Sequence, residues 1–454
     1  MIALNEETST EPTKPRHSTA TKLARISWLS ARNPDRRFDA LMHHVDTETL
    51  TACFHELDGR KAVGADKVTK EAYGTRLREN LEGLLERMRR MAYRPGPMRR
   101  VLIPKEGKPG ATRPIDIGNF EDKLVQKALA KVLEAVYEPL FLSCSYGFRP
   151  GRGCHDAIRD LYLHLFQSTV NAILDVDLAN YFGSIRPRVV AAILRTKIGD
   201  ERLIRYIMRM LKAGVLADGE LQVSDEGVPQ GSPLSPVLAN VVAHFVIDEW
   251  FERTVKAHCR GRVALYRYAD DMVICCESAQ DADRIRKALG GRLEKYGLAM
   301  NEEKTRTVPF SRSMARSGGA GVFDFLGFSF YLGKSPRGFY TPRLRTSRKR
   351  FTSKLKRVGT WMRDKRSAIK LVDLWRSFCR KIAGHIAYFA VSFNLARVGA
   401  FVHHATQIFF RWLNRRGGRR RLSWEKFQLF ISRHPLPHVK VQHRLFIKPQ
   451  PAQR

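Results

Sequence analysis

Two adjacent carboxylates, Asp270 and Asp271, sit in the stretch RVALYRYADDMVICC at residues 262–276. Apolar residues alternate before the pair and run on after it. Val, Leu, Tyr and Ile favour strands and Asp favours turns, so the stretch reads as a β-hairpin with two acids at its tip. Neighbouring acids repel each other, and a divalent metal is the simplest cation to offset that repulsion. An Asp-Asp pair is also an ordinary turn pair, and these residues alone leave both readings open. A second acidic pair lies in Ala172-Ile173-Leu174-Asp175-Val176-Asp177-Leu178. In a strand Asp175 and Asp177 face the same side, and an acid within a strand core is costly without a partner.

The elements around the acids follow from periodicity and turn chemistry. Residues 23–60 carry apolar positions at helical spacing, and RLRENLEGLLERMRRM forms a further helix stopped by Pro95 and Pro97. Residues 98–118 read as another hairpin, with Arg99, Arg100, Lys105, Lys108 and Arg113 on or beside its loop. Such a loop is either a solvated basic surface or a clamp for a triphosphate. A helix over 119–140 is followed by a loop, residues 145–152, that interleaves aromatics with arginines, a composition suited to a nucleic-acid strand. Helices at 155–166 and about 187–214 lead to the turn-rich loop 227–236, which feeds the helix VLANVVAHFVIDEWFERTVKAH and then the two-acid hairpin. A charged helix (281–296), a short strand and turn (298–305) and an aromatic strand-like run (323–330) follow.

Composition points to the partner. The chain has 454 residues, 43% of them hydrophobic, and a formal net charge of +35. So large a basic excess implies a polyanion, either nucleic acid or an anionic membrane surface. No apolar run reaches the roughly 18 residues that a membrane span needs, and the first 22 residues read as a polar, disordered leader without the apolar core of a signal peptide. A cytoplasmic protein bound to nucleic acid is therefore expected. The seven cysteines form no CxxC pair and are odd in number, which predicts reduced thiols and neither a disulfide framework nor a zinc site. From 341 to the end, 28 Lys and Arg face 3 Asp and Glu, so +25 of the charge lies there. That segment reads as helical, with aromatics such as Trp375, Phe378, Phe389, Phe401 and Phe409 mostly in its core, and a domain boundary is expected near 335–345.

Taken together the motifs resemble a known family. RYADD (267–271) resembles the YxDD box of reverse transcriptases, residues 177–182 their first acidic motif, and 227–236 their PQG box. Longer matches are GADKVTKEAYG (64–74), YRPGPMRRVLIPK (93–105), EDKLVQ (121–126), SYGFRPGRGCHDA (145–157), GVPQGSPLSPVLAN (227–240), NEEKT (301–305) and FDFLGF (323–328). Gly384-His385-Ile386-Ala387-Tyr388-Phe389 with Asn394 resembles the maturase, or thumb, segment. The chain thus resembles the bacterial group II intron-encoded reverse transcriptase/maturases over about 25–430, without the HNH endonuclease domain of some members.

The resemblance implies an α+β fold: a right-hand polymerase whose fingers and palm, with antiparallel sheets, span 23–340. A basic α-helical thumb/maturase domain (341–430) and a short basic tail (431–454) would follow, after the leader 1–22. It implies an RNA-directed DNA polymerase, bacterial and cytoplasmic, with no membrane partner. Two Mg²⁺ ions would serve nucleotidyl transfer, and the partners would be dNTP, template and group II intron RNA, and a DNA primer or target. By the same resemblance Asp177, Asp270 and Asp271 are the catalytic metal ligands, helped by the Leu178 carbonyl. Phe182, five residues past Asp177, is the gate against a ribose 2′-OH, which leaves Asp175 without a metal role. Gln230 lies along the incoming nucleotide, Lys105 and Arg113 hold its triphosphate, and Lys304 is a further phosphate contact. Arg149, Arg152, Arg348, Lys349, Arg350, Arg415 and Arg416 are nucleic-acid contacts, while His155 belongs to a helix start. Two departures stand out: Gly183 occupies a position where family members usually carry Asp, and Pro109-Gly110-Ala111-Thr112 lengthens the basic hairpin. Two competing readings are an RNA-binding maturase with secondary polymerase activity and a domesticated reverse transcriptase, for instance one serving phage defence.

Overall fold

The computed structural model describes residues 19–104, 110, 112–217, 220–222, 227–415 and 422–446. The strands are, in chain order, β1 (Met98–Pro104), β2 (Thr112–Ile117), β3 (Ala172–Asp177), β4 (Val215–Ala217), β5 (Glu220–Gln222), β6 (Val263–Tyr268), β7 (Asp271–Cys276), β8 (Arg306–Pro309), β9 (Phe323–Phe325), β10 (Phe328–Lys334) and β11 (Tyr340–Thr346). With the intervening helices they make an α+β protein of two compact units.

The first unit draws on the described parts of Met1–Val101, Ile115–Phe141 and Pro187–Leu238. Its centre is the helix Phe120–Tyr137, whose Leu124, Val125, Ala128, Leu129, Val132, Leu133 and Val136 are fully buried. Asp200 caps the helix Glu201–Leu211 through the Arg202 and Leu203 amides, and its second oxygen accepts the Leu41 and Met42 amides at 2.8 Å each. The first helix begins at Thr19, inside the stretch expected to be leader. A sheet of order β2-β1-β4-β5 is rooted here, with β1 and β4 parallel at Met98↔Val215.

The second unit comprises Leu102–Pro114, Leu142–Arg186 and the described part of Ala239–Arg454. It holds an antiparallel sheet of order β6-β7-β3-β8 and a second antiparallel sheet, β11-β10-β9. Phe323, Phe325, Phe328 and Phe330 of the second sheet share one core with Trp375, Phe378, Phe389, Phe401 and Phe409 of the helices that follow. Residues 341–346, expected to open the helical segment, instead complete β11, which pairs with β10 from Phe328↔Thr346 to Lys334↔Tyr340. The helices start at Arg348, after the Ser347 cap. The basic composition hid the strand, yet Pro342, Leu344 and Thr346 do face inward by alternation. Among the tail residues, Gln442 donates to the Ala390 carbonyl (2.7 Å), Trp375 Nε1 donates to the His434 carbonyl (3.0 Å), and Leu445 is buried.

Candidate active site

The register of the first sheet decides where the acids meet. β3 and β7 run antiparallel with Asp177 opposite Asp271 and Asp175 opposite Val273. β6 and β7 pair up to Tyr268↔Asp271, so Ala269 and Asp270 form a two-residue turn. Asp270 lies in that turn, Asp271 begins β7, and Asp177 ends β3. All three carboxylates thus sit at one end of two adjacent central strands. Ala269 holds φ 58° there, a left-handed conformation that is strained for a residue with a Cβ.

The residues 301–305 cradle Asp177. The Asn301 amide donates to the Asp177 carbonyl (2.7 Å), the Asp177 amide donates to Thr305 Oγ1 (3.3 Å), and Lys304 Nζ lies 2.5 Å from Asp177 Oδ2. Lys304, read from the sequence as a phosphate contact, is therefore the counter-charge of an acid. Leu178 is buried and bridges Met300; the bonds closing that bridge come from Ala179 and Asn301, so the Leu178 carbonyl takes no part in it.

Burial and crowding raise the pKa values of Asp175, Asp270 and Asp271. Asp271 is pushed up to about 7, by burial first and then by the charge of Asp175, with Asp270 and Asp177 adding to it and the Leu326 amide opposing. Asp175 rises to about 6, by burial first, with its Arg306 partner (3.2 Å) opposing. Asp270 is raised by burial and by Asp177, while Arg113 and Lys304 pull it down. Carboxylates crowded together in partly buried surroundings at one strand end form a place where a cation is favoured. Among the described residues no three His, Cys, Asp or Glu side chains converge into a ready-made metal cage. Mg²⁺ suits such a site, because it binds through one or two carboxylates and takes its other ligands from water and substrate phosphates.

The remaining candidates divide. Phe182 is half-buried and edge-on to Tyr181 (5.8 Å), whose hydroxyl is anchored on the Ala239 carbonyl (2.7 Å). A Cβ at Gly183 would lie 2.3 Å from Asn180 Nδ2, so Asn180 fills the room that an Asp there would need. Arg113 is exposed, whereas Arg100 forks onto buried Asp116 (2.8 and 3.1 Å) and Arg99 donates to the Val63 carbonyl (2.9 Å). Gln230 belongs to the first unit, where its carbonyl accepts the Asp116 amide at 2.7 Å. Lys105 and Arg416 lie outside the described residues. Arg149 donates to the Leu142 and Ser145 carbonyls (2.8 and 2.9 Å), and Arg152 to those of Ser143 and Ser145 (2.7 and 3.0 Å) while covering the Tyr146 ring. Arg348, Lys349 and Arg350 are exposed on the first turn of the helix Arg348–Lys365, and Arg415 lies over Trp412 at 5.0 Å. His155 bonds the Tyr388 carbonyl (2.8 Å) and stacks on His443, a structural role. The sequence reading missed Asp248, Asn240 and the role of Arg267. The signal was there: an arginine on the inward face of an alternating strand needs a buried partner.

No described helix is long and apolar enough to cross a membrane. Residues 103–330 match the reverse transcriptase (RNA-dependent DNA polymerase) family. The Escherichia coli (strain K12) protein YkfC is 31% identical over 278 residues, covering 55% of this chain and 72% of that protein. The group II intron-encoded protein LtrA of Lactococcus lactis subsp. cremoris is 30% identical over 49% of this chain and 37% of its own length. An uncharacterised 91 kDa protein in the cob intron of Schizosaccharomyces pombe is 44% identical over 34% of this chain and only 19% of its own length. The match to the family spans the sheet that brings Asp177, Asp270 and Asp271 to one end, and the chain belongs to the reverse transcriptase (RNA-dependent DNA polymerase) family.

Proposed function

We propose that this chain is a reverse transcriptase of the group II intron type, which copies RNA into DNA and also binds intron RNA to assist splicing and mobility. The observation that carries the catalytic part is the register that sets Asp177 against Asp271, with Asp270 in the adjoining turn. Similarity to an intron-encoded protein and the +25 segment after 340 support the RNA-binding part. In this reading the β6-β7-β3-β8 sheet is the palm and the helices from Arg348 are the thumb.

Asp177, Asp270 and Asp271, with the Leu178 carbonyl, would hold two Mg²⁺ ions. When bound, these neutralise the attacking and leaving oxygens of an in-line phosphoryl displacement. The chain's own residues do the positioning. The turn 301–305 fixes Asp177 by its backbone on both sides, and Lys304 holds the Asp177 carboxylate until substrate draws that ammonium away. Arg113, with Lys105, supplies counter-charge for the triphosphate. Phe182, anchored beside Tyr181, crowds the sugar at C2′. Arg149, Arg152, Arg348, Lys349, Arg350, Arg415 and Arg416 supply phosphate contacts for template, primer and intron RNA.

The test is primer extension on an RNA template with Mg²⁺. Wild type extends, Asp177→Ala does not, and both retain RNA with the same affinity. Phe182→Ala incorporates ribonucleotides. Extension by Asp177→Ala at the wild-type rate overturns the assignment.

A further inference from the structure

β6 turns Val263, Leu265 and Arg267 to its buried face, so an arginine stands where the alternation calls for an apolar residue. Arg267 is fully buried, as is Asp248 opposite it. A guanidinium has five N–H donors, and here each has an acceptor. Nε donates to Asp248 Oδ1 (2.7 Å); Nη2 donates to Asp248 Oδ2 (2.6 Å) and Ser145 Oγ (2.7 Å); Nη1 donates to Asn240 Oδ1 (3.1 Å) and to the Ala269 carbonyl (3.1 Å). The last contact falls on the left-handed residue of the acidic turn.

The surroundings fix the same turn from outside. The Arg267 amide donates to the Cys144 carbonyl (2.8 Å), and the Tyr146 amide to the Arg267 carbonyl (2.9 Å). Asn240 Nδ2 donates to the Gly147 carbonyl (2.7 Å), and Gly147 packs so closely that a Cβ there would lie 2.5 Å from the Ala269 nitrogen. Asp248 closes a π-helical stretch, His244–Asp248, within a longer helix, and such a bulge re-aims the side chains beside it. A buried ion pair adds little net stability over apolar packing, so stability alone does not account for this fork.

We propose that Arg267 is a positioning residue for DNA synthesis: its guanidinium holds the Ala269 carbonyl, and with it the strained turn that aims Asp270 and Asp271. This rests on the reading of those two acids as metal ligands. Arg267→Lys keeps a charge for Asp248 but lacks the fork that spans to Ala269. Ala269→Gly removes the backbone strain that the fork restrains.

The experiment measures RNA-templated primer extension by the full chain (kcat, and KM for dNTP). It also measures the thermal midpoint and the rise in that midpoint on adding Mg²⁺. Arg267→Lys lowers kcat by about 30-fold with KM within about 2-fold, as expected when a catalytic group is misplaced, and shrinks the Mg²⁺-dependent rise. In the Ala269→Gly background the same substitution costs kcat only about 5-fold, because the two changes act on one turn. Equal kcat losses in both backgrounds, or a loss that follows the thermal midpoint alone, overturn the proposal. If Arg267→Lys does not fold, Ser145→Ala takes its place: it removes one of the five contacts and lowers kcat about 3-fold with Ala269 but not with Gly at 269. Asp270→Asn separates the two readings. If it extends primers normally, the metal-ligand assignment fails. If it is inactive while Arg267→Lys is normal in kcat and in both backgrounds, only the positioning role fails.

Discussion

Two tight hairpin turns in the same compact unit solve one backbone problem in opposite ways. In the β9–β10 turn both central residues are left-handed, Leu326 at φ 49° and Gly327 at φ 83°, the sign pattern of a type I′ turn with glycine where it is most useful. In the β6–β7 turn only Ala269 is left-handed, at φ 58°, the sign pattern of a type II′ turn, which favours glycine at that place. The first turn is relaxed by residue choice, and its neighbours add to that: the Tyr388 hydroxyl donates to the Leu326 carbonyl at 2.9 Å, the Ser347 amide to the Gly327 carbonyl at 3.0 Å, and the Leu326 amide to the Asp271 carboxylate. The second has a Cβ where glycine would be relaxed, and is held by Arg267, Gly147 and the strand pairing around it. A turn that must aim two acids gains from being held from outside, since a glycine would let it wander.

The largest way to break the comparison is at the acids. Asp270→Ala lowers RNA-templated extension by about 10³-fold or more while leaving RNA retention on filters unchanged. Asp324, beside the other turn and bonded to Ser329 Oγ, can be changed to Asn with loss of no more than about 10-fold. A similar collapse at both would mean that the two turns share the chemistry.

Next comes the support. Asp248→Asn leaves the buried Arg267 charge without its partner and costs about 3–5 kcal/mol in equilibrium denaturation. Tyr388→Phe, which removes the hydroxyl donor to the Leu326 carbonyl at the other turn, costs only about 1 kcal/mol. Equal costs would erase the distinction between a held turn and a self-sufficient one.

The helix behind the β9–β10 turn adds a pH test. His385 is buried against Phe401 (ring centroids 3.6 Å apart), neither of its ring nitrogens has a hydrogen-bond partner among the described residues, and burial, then the Lys354 charge, push its pKa down from 6.5 to about 3. The unfolded chain binds the proton first, so stability is full above about pH 6.5 and falls as pH drops toward 3. Between pH 7 and pH 5 this amounts to about 2 kcal/mol. His385→Phe should flatten that part of the profile, and an unchanged slope would locate the effect elsewhere.

The smallest effects sharpen the contrast most directly. Gly327→Ala adds a Cβ at φ 83° and costs about 1 kcal/mol. Ala269→Gly changes stability by less than about 0.5 kcal/mol, because relieved strain is offset by added freedom in the unfolded chain. Its mark should be on kcat instead.

Turn chemistry and alternation made the acidic hairpin, β3 and the aromatic strands legible, and helical spacing did the same for most helices. β11 was hidden because Arg343 and Arg345 alternate with inward Pro342, Leu344 and Thr346, and basic composition drew attention from the period. The cations were the least legible. Arg99, Arg100, Arg149, Arg152 and Lys304 look alike in sequence to Arg348 and Lys349, yet the first five are turned onto carbonyls or carboxylates of the chain itself.

The sequence by itself determined which acids exist, that two are adjacent in a turn and that a third ends a strand, because those properties are local. Only the tertiary structure decided that Asp177 faces Asp271, that Lys304 answers Asp177, and that Arg267 reaches Ala269 with Asp248 behind it. Each depends on pairing between residues far apart in the chain. Strand register and buried charge pairing are fixed by which distant surfaces can be desolvated together, and no local pattern records that.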